Sequence, residues 1–283
     1  PMIKLFPFIF ILLWSSAFIT TKPIVDNSEP FSALAFRFLI VAMGFFIYSY
    51  FSKEKIIVSI KNTLESLLTG VLFHGLYLGG VFFSISKGMP TSIAALIVTL
   101  QPILTNILAG PLLNEQISWK QWLGIFLGFV GAILVLGFDI GETIPISGVV
   151  ATFIALFAIT GSTIWQKKLS HNISLPVNNM YQAIGGFLFH LIIIFFFVEA
   201  YINFNIIFAI AMAHQILLVS FGAFTILMFL IKHNSASKTV SIFFLIPATS
   251  AFIAWLFLSE SLTLIDICGF VIASAGVFIA TRK

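Results

Sequence analysis

Charge is what this chain has least of. Of its 283 residues, 14 are Lys or Arg and 10 are Asp or Glu, so 8% is charged and 60% is apolar. An average soluble domain is about 25% charged and about 45–50% apolar. So few charged side chains cannot cover a globule of this size, which excludes a soluble enzyme, a nucleic-acid-binding module and a disordered chain. The net charge of +4 is scattered between long apolar runs and forms no basic patch for nucleic acid. A single cysteine, Cys268, excludes an intrachain disulfide and a cysteine-based metal cluster. No Gly-rich phosphate loop ending in Lys-Ser or Lys-Thr is present, so no ATP site is expected; no cofactor or resident metal is expected either, although carbonyls and hydroxyls alone can bind sodium as a coupling ion.

What the chain does have is apolar length. A bilayer core needs roughly 20 mostly apolar residues per helix. Ten such runs are legible, at 4–22, 31–51, 65–86, 91–113, 119–138, 145–167, 177–199, 212–231, 236–258 and 262–281. Turn residues and charges separate them, and Pro30, Pro145 and Pro176 stand where helices would begin. A transmembrane β-barrel would show short alternating segments instead. The first run lacks a small-residue cleavage site and is read as a helix, not a secretory signal; Pro1 before Met2 is read as a remnant of expression.

Lys and Arg sort strongly across these runs. With the N-terminus inside, Lys4, Lys53, Lys55, Lys61, Lys120, Lys167, Lys168, Lys232, Lys238, Arg282 and Lys283 fall on the cytoplasmic side, eleven against the three of Lys22, Arg37 and Lys87. The positive-inside rule then puts both termini in the cytoplasm. The chain also matches itself at an offset of 145: Pro102 with Pro247, Glu115 with Glu260, Gly124 with Gly269, Gly131 with Gly276, Lys22 with Lys167 and Lys87 with Lys232. Two units follow, 1–138 and 145–283, each with five spans. Because five is odd, the second unit must sit upside down relative to the first. The expected fold is all-α and integral to the membrane: ten transmembrane helices, as two inverted five-helix repeats around a central cavity. Such an arrangement suits alternating access about a midplane site.

The residues that carry the repeat also resemble a family. Leu13-Trp14-Ser15-Ser16-Ala17-Phe18 with Lys22, then Pro30 followed by Arg37-Phe38-Leu39, is similar to the first two helices of EamA-type members of the drug/metabolite transporter superfamily. Leu100-Gln101-Pro102, Asn114-Glu115, Gly124 and Gly131 resemble their fourth and fifth helices, and Leu245-Ile246-Pro247, Ser259-Glu260, Gly269 and Gly276 repeat that pattern. The resemblance implies a cavity lined mainly by spans one, three, four, six, eight and nine. It also implies transport of small metabolites such as amino acids, nucleosides or related polar solutes. The expected location is the bacterial cytoplasmic membrane, as a monomer or homodimer whose partners are a small-molecule substrate and the lipid bilayer. The two units differ where Trp14 aligns with Ile159 and Arg37 with Gln182, which makes the cavity asymmetric.

Polar residues at membrane depth are the candidate site, because burying them in lipid is costly. All ten acids fall at helix ends or in loops. The family's small multidrug relatives use a membrane-embedded carboxylate in the first helix; Trp14, Ser15, Ser16, Thr20 and Thr21 stand here instead, which disfavours proton-coupled export of cationic drugs. Gln101 before Pro102, with Asn106 five residues on, is the leading substrate contact. Pro102 and Pro247 should kink their helices by releasing the carbonyls of Val98 and Phe243. His74 and Tyr77 share a helix face, whereas His190 is read as a packed, neutral ring. Thr160, Ser162 and Trp165 mirror the Trp14-Ser15-Ser16 turn and add hydroxyls and an indole, although Trp165 also suits the interfacial belt. Arg37 either attracts an anionic group or, the preferred reading, snorkels to the outer surface. The Gly75/Gly79, Gly124/Gly128 and Gly269/Ala273 spacings allow close helix packing within each half or in a dimer.

Other classes fit less well. An intramembrane protease needs paired aspartates, a serine with its base, or a metal motif at depth, and none is present. A membrane scaffold or receptor gives no reason for the duplication. A channel would favour rings of identical groups.

Overall fold

The computed structural model describes residues 5–89, 91–136, 144–169, 172–258 and 263–281. These are almost wholly helical, with one isolated antiparallel bridge, Ser28 to Ile202, joining two connections. Among the described residues, seven helices are long and apolar enough to cross a membrane. They are α1 (Phe6–Asp26), α2 (Pro30–Phe51), α3 (Ile60–Ser86), α7 (Ile146–Leu169), α8 (Leu175–Phe197), α9 (Ile206–His233) and α12 (Leu264–Thr281). The shorter apolar helix α6 spans Trp119–Leu136.

The remaining helices are interrupted at proline. Residues 91–113 form α4 (Thr91–Val98) and α5 (Gln101–Leu113), with Pro102 in the first turn of α5. Residues 236–258 form α10 (Ala236–Ser241), a 3₁₀ turn over Ile242–Leu245, and α11 (Ile246–Leu258), with Pro247 just inside α11. The expected kinks are therefore breaks, because each proline can begin a helix more readily than continue one. Ser15 of α1 donates to the carbonyl of Ile246 at 3.3 Å, next to the Pro247 break.

Two long helices contain π-helical stretches, Val71–Tyr77 in α3 and Gln215–Ala223 in α9. At an offset of 145 the first maps onto 216–222, inside the second. A π stretch turns one ring of side chains out of register and frees backbone groups, a feature enriched at functional sites.

Packing between the two halves depends on glycine. A Cβ on Gly124 of α6 would lie 2.5 Å from Gly276 O and Ala280 N of α12, and one on Gly276 would lie 2.4 Å from Gly128 N. A Cβ on Gly70 of α3 would meet Gln182 O of α8 at 2.0 Å. These backbones touch, as small-residue interfaces in membranes allow. The fifth and tenth runs thus pack against each other and tie the halves together. Apolar clusters fill the rest: one around Phe10, Trp14, Phe73, Phe224 and Phe243, the other around Phe38, Met180, Phe208 and Ile216.

Candidate functional site

A small cavity lies among α1, α2, α3 and α9, walled by Trp14, Phe18, Thr21, Arg37, Tyr77, Leu78, Val81, Phe82 and Gln215. Its volume is about 30 Å³, room for roughly one water. Arg37 is the charged residue on this wall, and it is buried, with 3% of its surface exposed. Its Nε donates to Ser220 Oγ at 2.9 Å and its Nη1 to Gln215 Oε1 at 2.6 Å. The guanidinium also lies 5.3 Å from the ring centroid of Phe38. The snorkelling expected of Arg37 does not occur. Partners 178 and 183 residues away on α9 hold it inside.

Gln215 is itself fixed. Its Nε2 donates to Ala17 O and to Thr20 Oγ1, each at 2.9 Å, which turns its Oε1 toward Arg37. His214 sits beside it, with Nε2 2.9 Å from Ser16 Oγ and Nδ1 3.1 Å from Thr20 Oγ1. Ser16 thus belongs to the polar network behind the cavity. Trp14 forms the aromatic wall, stacked near Phe243 and edge-on to Phe73, which in turn meets Tyr77 edge-on at 5.3 Å.

His74 packs behind that wall, its ring 4.3 Å from Phe38 and 4.5 Å from Phe224. Both ring nitrogens are buried with no partner among the described residues. His190 donates from Nε2 to the carbonyl of His74 at 3.0 Å, inside the π stretch. Its Nδ1 is buried with no partner among the described residues, so backbone satisfies one of the two ring nitrogens.

The remaining predicted residues lie elsewhere. Gln101 is buried and donates to Thr163 Oγ1 at 3.0 Å, linking α5 to α7, and its Oε1 has no partner among the described residues. Asn106 donates to Pro102 O at 2.7 Å. Thr160 donates to Leu156 O of its own helix, and Ser162 reaches Thr69 O of α3 at 3.3 Å. Trp165 is 40% exposed. None of these five lines the cavity, nor do Pro102 and Pro247.

Sequence reasoning passed over Gln215, Ser220 and His214. The eighth run was read as starting at 212, whereas α9 starts at Ile206 and places His214 two turns inside. A polar pair, His214-Gln215, in a run this apolar was the available signal.

One end of the bundle is tied by charged groups. Glu115 accepts from Ala236 N at 2.8 Å and from Ser237 Oγ at 2.6 Å, capping α10. Lys167 donates to the carbonyls of Ile231 and Asn234 at 3.0 and 2.6 Å, at the end of α9. At the repeat offset, Lys22 instead pairs with Asp26 on the surface, and Glu260 lies outside the described residues. A larger cleft of about 550 Å³ between α1, α11 and α12 is lined mainly by apolar groups such as Phe8, Leu12, Phe252 and Phe270. Its polar groups are Thr249, Asp266 and Ser274.

Long apolar helices packed around a buried arginine and its amide and hydroxyl partners define an integral membrane protein. The EamA-like transporter family pattern matches residues 2–137 and again residues 146–282, and the chain belongs to that family. It is 23% identical over 271 residues to the uncharacterized transporter YdfC of Bacillus subtilis (strain 168), covering 94% of this chain and 86% of that protein. It is 26% identical over 174 residues to a probable amino-acid metabolite efflux pump of Salmonella typhimurium, covering 59% of this chain and 54% of that protein. It is 26% identical over 145 residues to an S-adenosylmethionine/S-adenosylhomocysteine transporter of Chlamydia muridarum, covering 51% of this chain and 45% of that protein. A protein of known crystal structure superposes with a TM-score of 0.80 over 99% of this chain and 98% of its own, at 17% identity. That likeness shows the fold alone.

Proposed function

We propose that the chain is a secondary transporter, not an enzyme, that moves a small polar metabolite such as an amino acid or nucleoside across a bacterial cytoplasmic membrane by alternating access. The observation that carries this reading is the cavity between α1, α2 and α3 of the first half and α9 of the second. Ten spans follow if the interrupted pairs α4–α5 and α10–α11 each cross once and α6 crosses as well, with both termini in the cytoplasm. Residues 1–138 and 145–283 are then inverted copies. The paired π stretches, the paired proline breaks and the twofold family match support that duplication.

At about 30 Å³ the cavity is too small for a metabolite, so in the proposed cycle this is a closed form. Trp14 and Tyr77 would meet the solute, with Thr21 and Gln215, while Ser16 orients the wall through His214. Gln101, Asn106, Thr160 and Ser162 would line the path at the other end when the α4–α5 break moves. No acid lies among the cavity's lining residues, which favours this reading over proton-coupled export of cationic drugs.

The test is counterflow into liposomes holding the purified protein, with labelled amino acids, nucleosides and organic cations, with and without a pH gradient. Saturable exchange of an amino acid or nucleoside above that of empty liposomes is expected. Steep proton-driven exchange of a cation alone would overturn the substrate class, and no exchange of any solute would overturn the transporter reading.

A further inference from the structure

We propose that Arg37 is the anchor for a carboxylate on the solute, whose apolar body packs against Trp14, Phe18, Tyr77 and Phe82. This deepens the transporter reading and rests on it. Three observations carry it.

The first is the missing counter-charge. Arg37 is buried inside a membrane-spanning helix, where an uncompensated cation is costly and an ionisable residue marks a pathway or a site. Among the described residues no acid is paired with Arg37. The acceptors that Arg37 has, Ser220 and Gln215, are both neutral. They use two of its five N–H donors.

The second is that the fold does without this charge elsewhere. Gln182 of α8 occupies the position of Arg37 at the offset of 145, and Gln166 the position of Thr21. Gln182 is buried and donates to Gln166 Oε1 at 2.7 Å. A neutral amide pair therefore fills the corresponding node of the second half. The positive charge at 37 is consequently a property of one side of the molecule and not a demand of the architecture.

The third is preorganisation. Gln215 is tied to α1 through Ala17 and Thr20, and Phe38 lies beside the guanidinium. The fork is therefore held on the cavity wall. A guanidinium fork matches a planar carboxylate through two parallel hydrogen bonds. A doubly charged phosphate would call for further cations, and the other lining residues of the cavity carry no charge. A cationic solute would be repelled.

The experiment uses the full chain in detergent and in liposomes with three probes: L-phenylalanine, 3-phenylpropionate, which keeps the carboxylate and lacks the amine, and L-phenylalaninamide, which lacks the carboxylate. Binding is read by Trp fluorescence and by thermal protection. Wild-type protein should bind both carboxylates and bind the amide at least about tenfold more weakly, the cost of roughly one charged hydrogen-bonded contact. Arg37→Gln, a swap the fold already accepts at 182, should lose about tenfold or more for both carboxylates and should bind the cationic amide no more weakly than the wild type does, because the repelling charge is gone. Arg37→Lys, which keeps the charge and loses the fork, should fall between. Equal binding of acid and amide by the wild type overturns the proposal without any variant. So does failure of both carboxylates to bind, or undiminished carboxylate binding by a folded Arg37→Gln. Counterflow separates the two levels. Exchange of a nucleoside or cation, with no carboxylate preference, removes the anchor and leaves the transporter. Absence of all exchange removes the transporter, and the binding arm still decides Arg37.

Discussion

Gln215 gives its side-chain oxygen to Arg37, 2.6 Å from Nη1, and keeps its nitrogen for α1, where it donates to Ala17 O and Thr20 Oγ1. One amide thus joins α1 and α2 of the first half to α9 of the second. It also decides which way the guanidinium points.

Gln215→Leu should therefore cost about 2–4 kcal/mol, because it removes a hydrogen bond to a charged group and leaves donors buried. A fall in the thermal midpoint of the purified protein measures this. Gln215→Glu places a carboxylate against Arg37 from within. It should weaken binding of 3-phenylpropionate by about tenfold or more, and unchanged affinity would show that the solute does not use Arg37.

Gly276→Ala puts a methyl group where Gly128 N stands 2.4 Å away. The α6–α12 backbones must then part, at about 1–3 kcal/mol. Gly161→Ala on α7 is the control, with nothing within 4 Å of its added Cβ, and it should be neutral or stabilising by up to about 1 kcal/mol. Thermal unfolding of both variants side by side checks the contrast.

Glu115→Ala removes the acceptor for the first amides of α10. Loss of a capping interaction of this kind costs about 0.5–2 kcal/mol. Faster hydrogen exchange at Ala236–Lys238, with exchange in α2 unchanged, is the expected signature.

The proposed inverted topology predicts opposite labelling of exposed lysine positions. In a Cys268→Ser background, Lys61→Cys and Lys120→Cys should react with an impermeant maleimide only after the inner face is opened. Lys22→Cys and Lys87→Cys should react from outside in intact cells. All four lysines are exposed, so burial does not blur the comparison. Labelling of all four from one side would overturn the inverted arrangement.

Much of the helical layout was legible because it depends on local chemistry. Apolar runs of about 20 residues mark spans whatever they pack against, and Pro102 and Pro247 mark interruptions whatever the partner. Helix ends were less legible. The first run extends past Lys22 to Asp26 through Pro23, and Lys22 and Asp26 pair along its last turn. The start of α9 at Ile206 is marked by Asn205, whose Oδ1 accepts from Phe208 N, a cap that the start at 212 passed over. That error of six residues hid His214.

The site was legible only in part. Trp14 and Tyr77 stood out as large, polar-tipped rings at depth, and both line the cavity. Arg37 could not be placed from its own helix, since a long side chain two turns from a helix end can reach the surface or turn inward. The choice fell to α9, whose Gln215 and Ser220 meet it inside. Gln101 drew attention as an amide beside proline, but Thr163 of α7 takes its nitrogen.

Scarcity of charge, length of the apolar runs, the prolines and the 145-residue echo were set by the sequence itself, because each acts through the solvent or the local backbone. Which polar side chains share a cavity was decided by tertiary structure alone. Hydrogen bonds are satisfied between helices, and only the packing of α9 against α1 and α2 determines whether Arg37 reaches the surface or turns into the cavity.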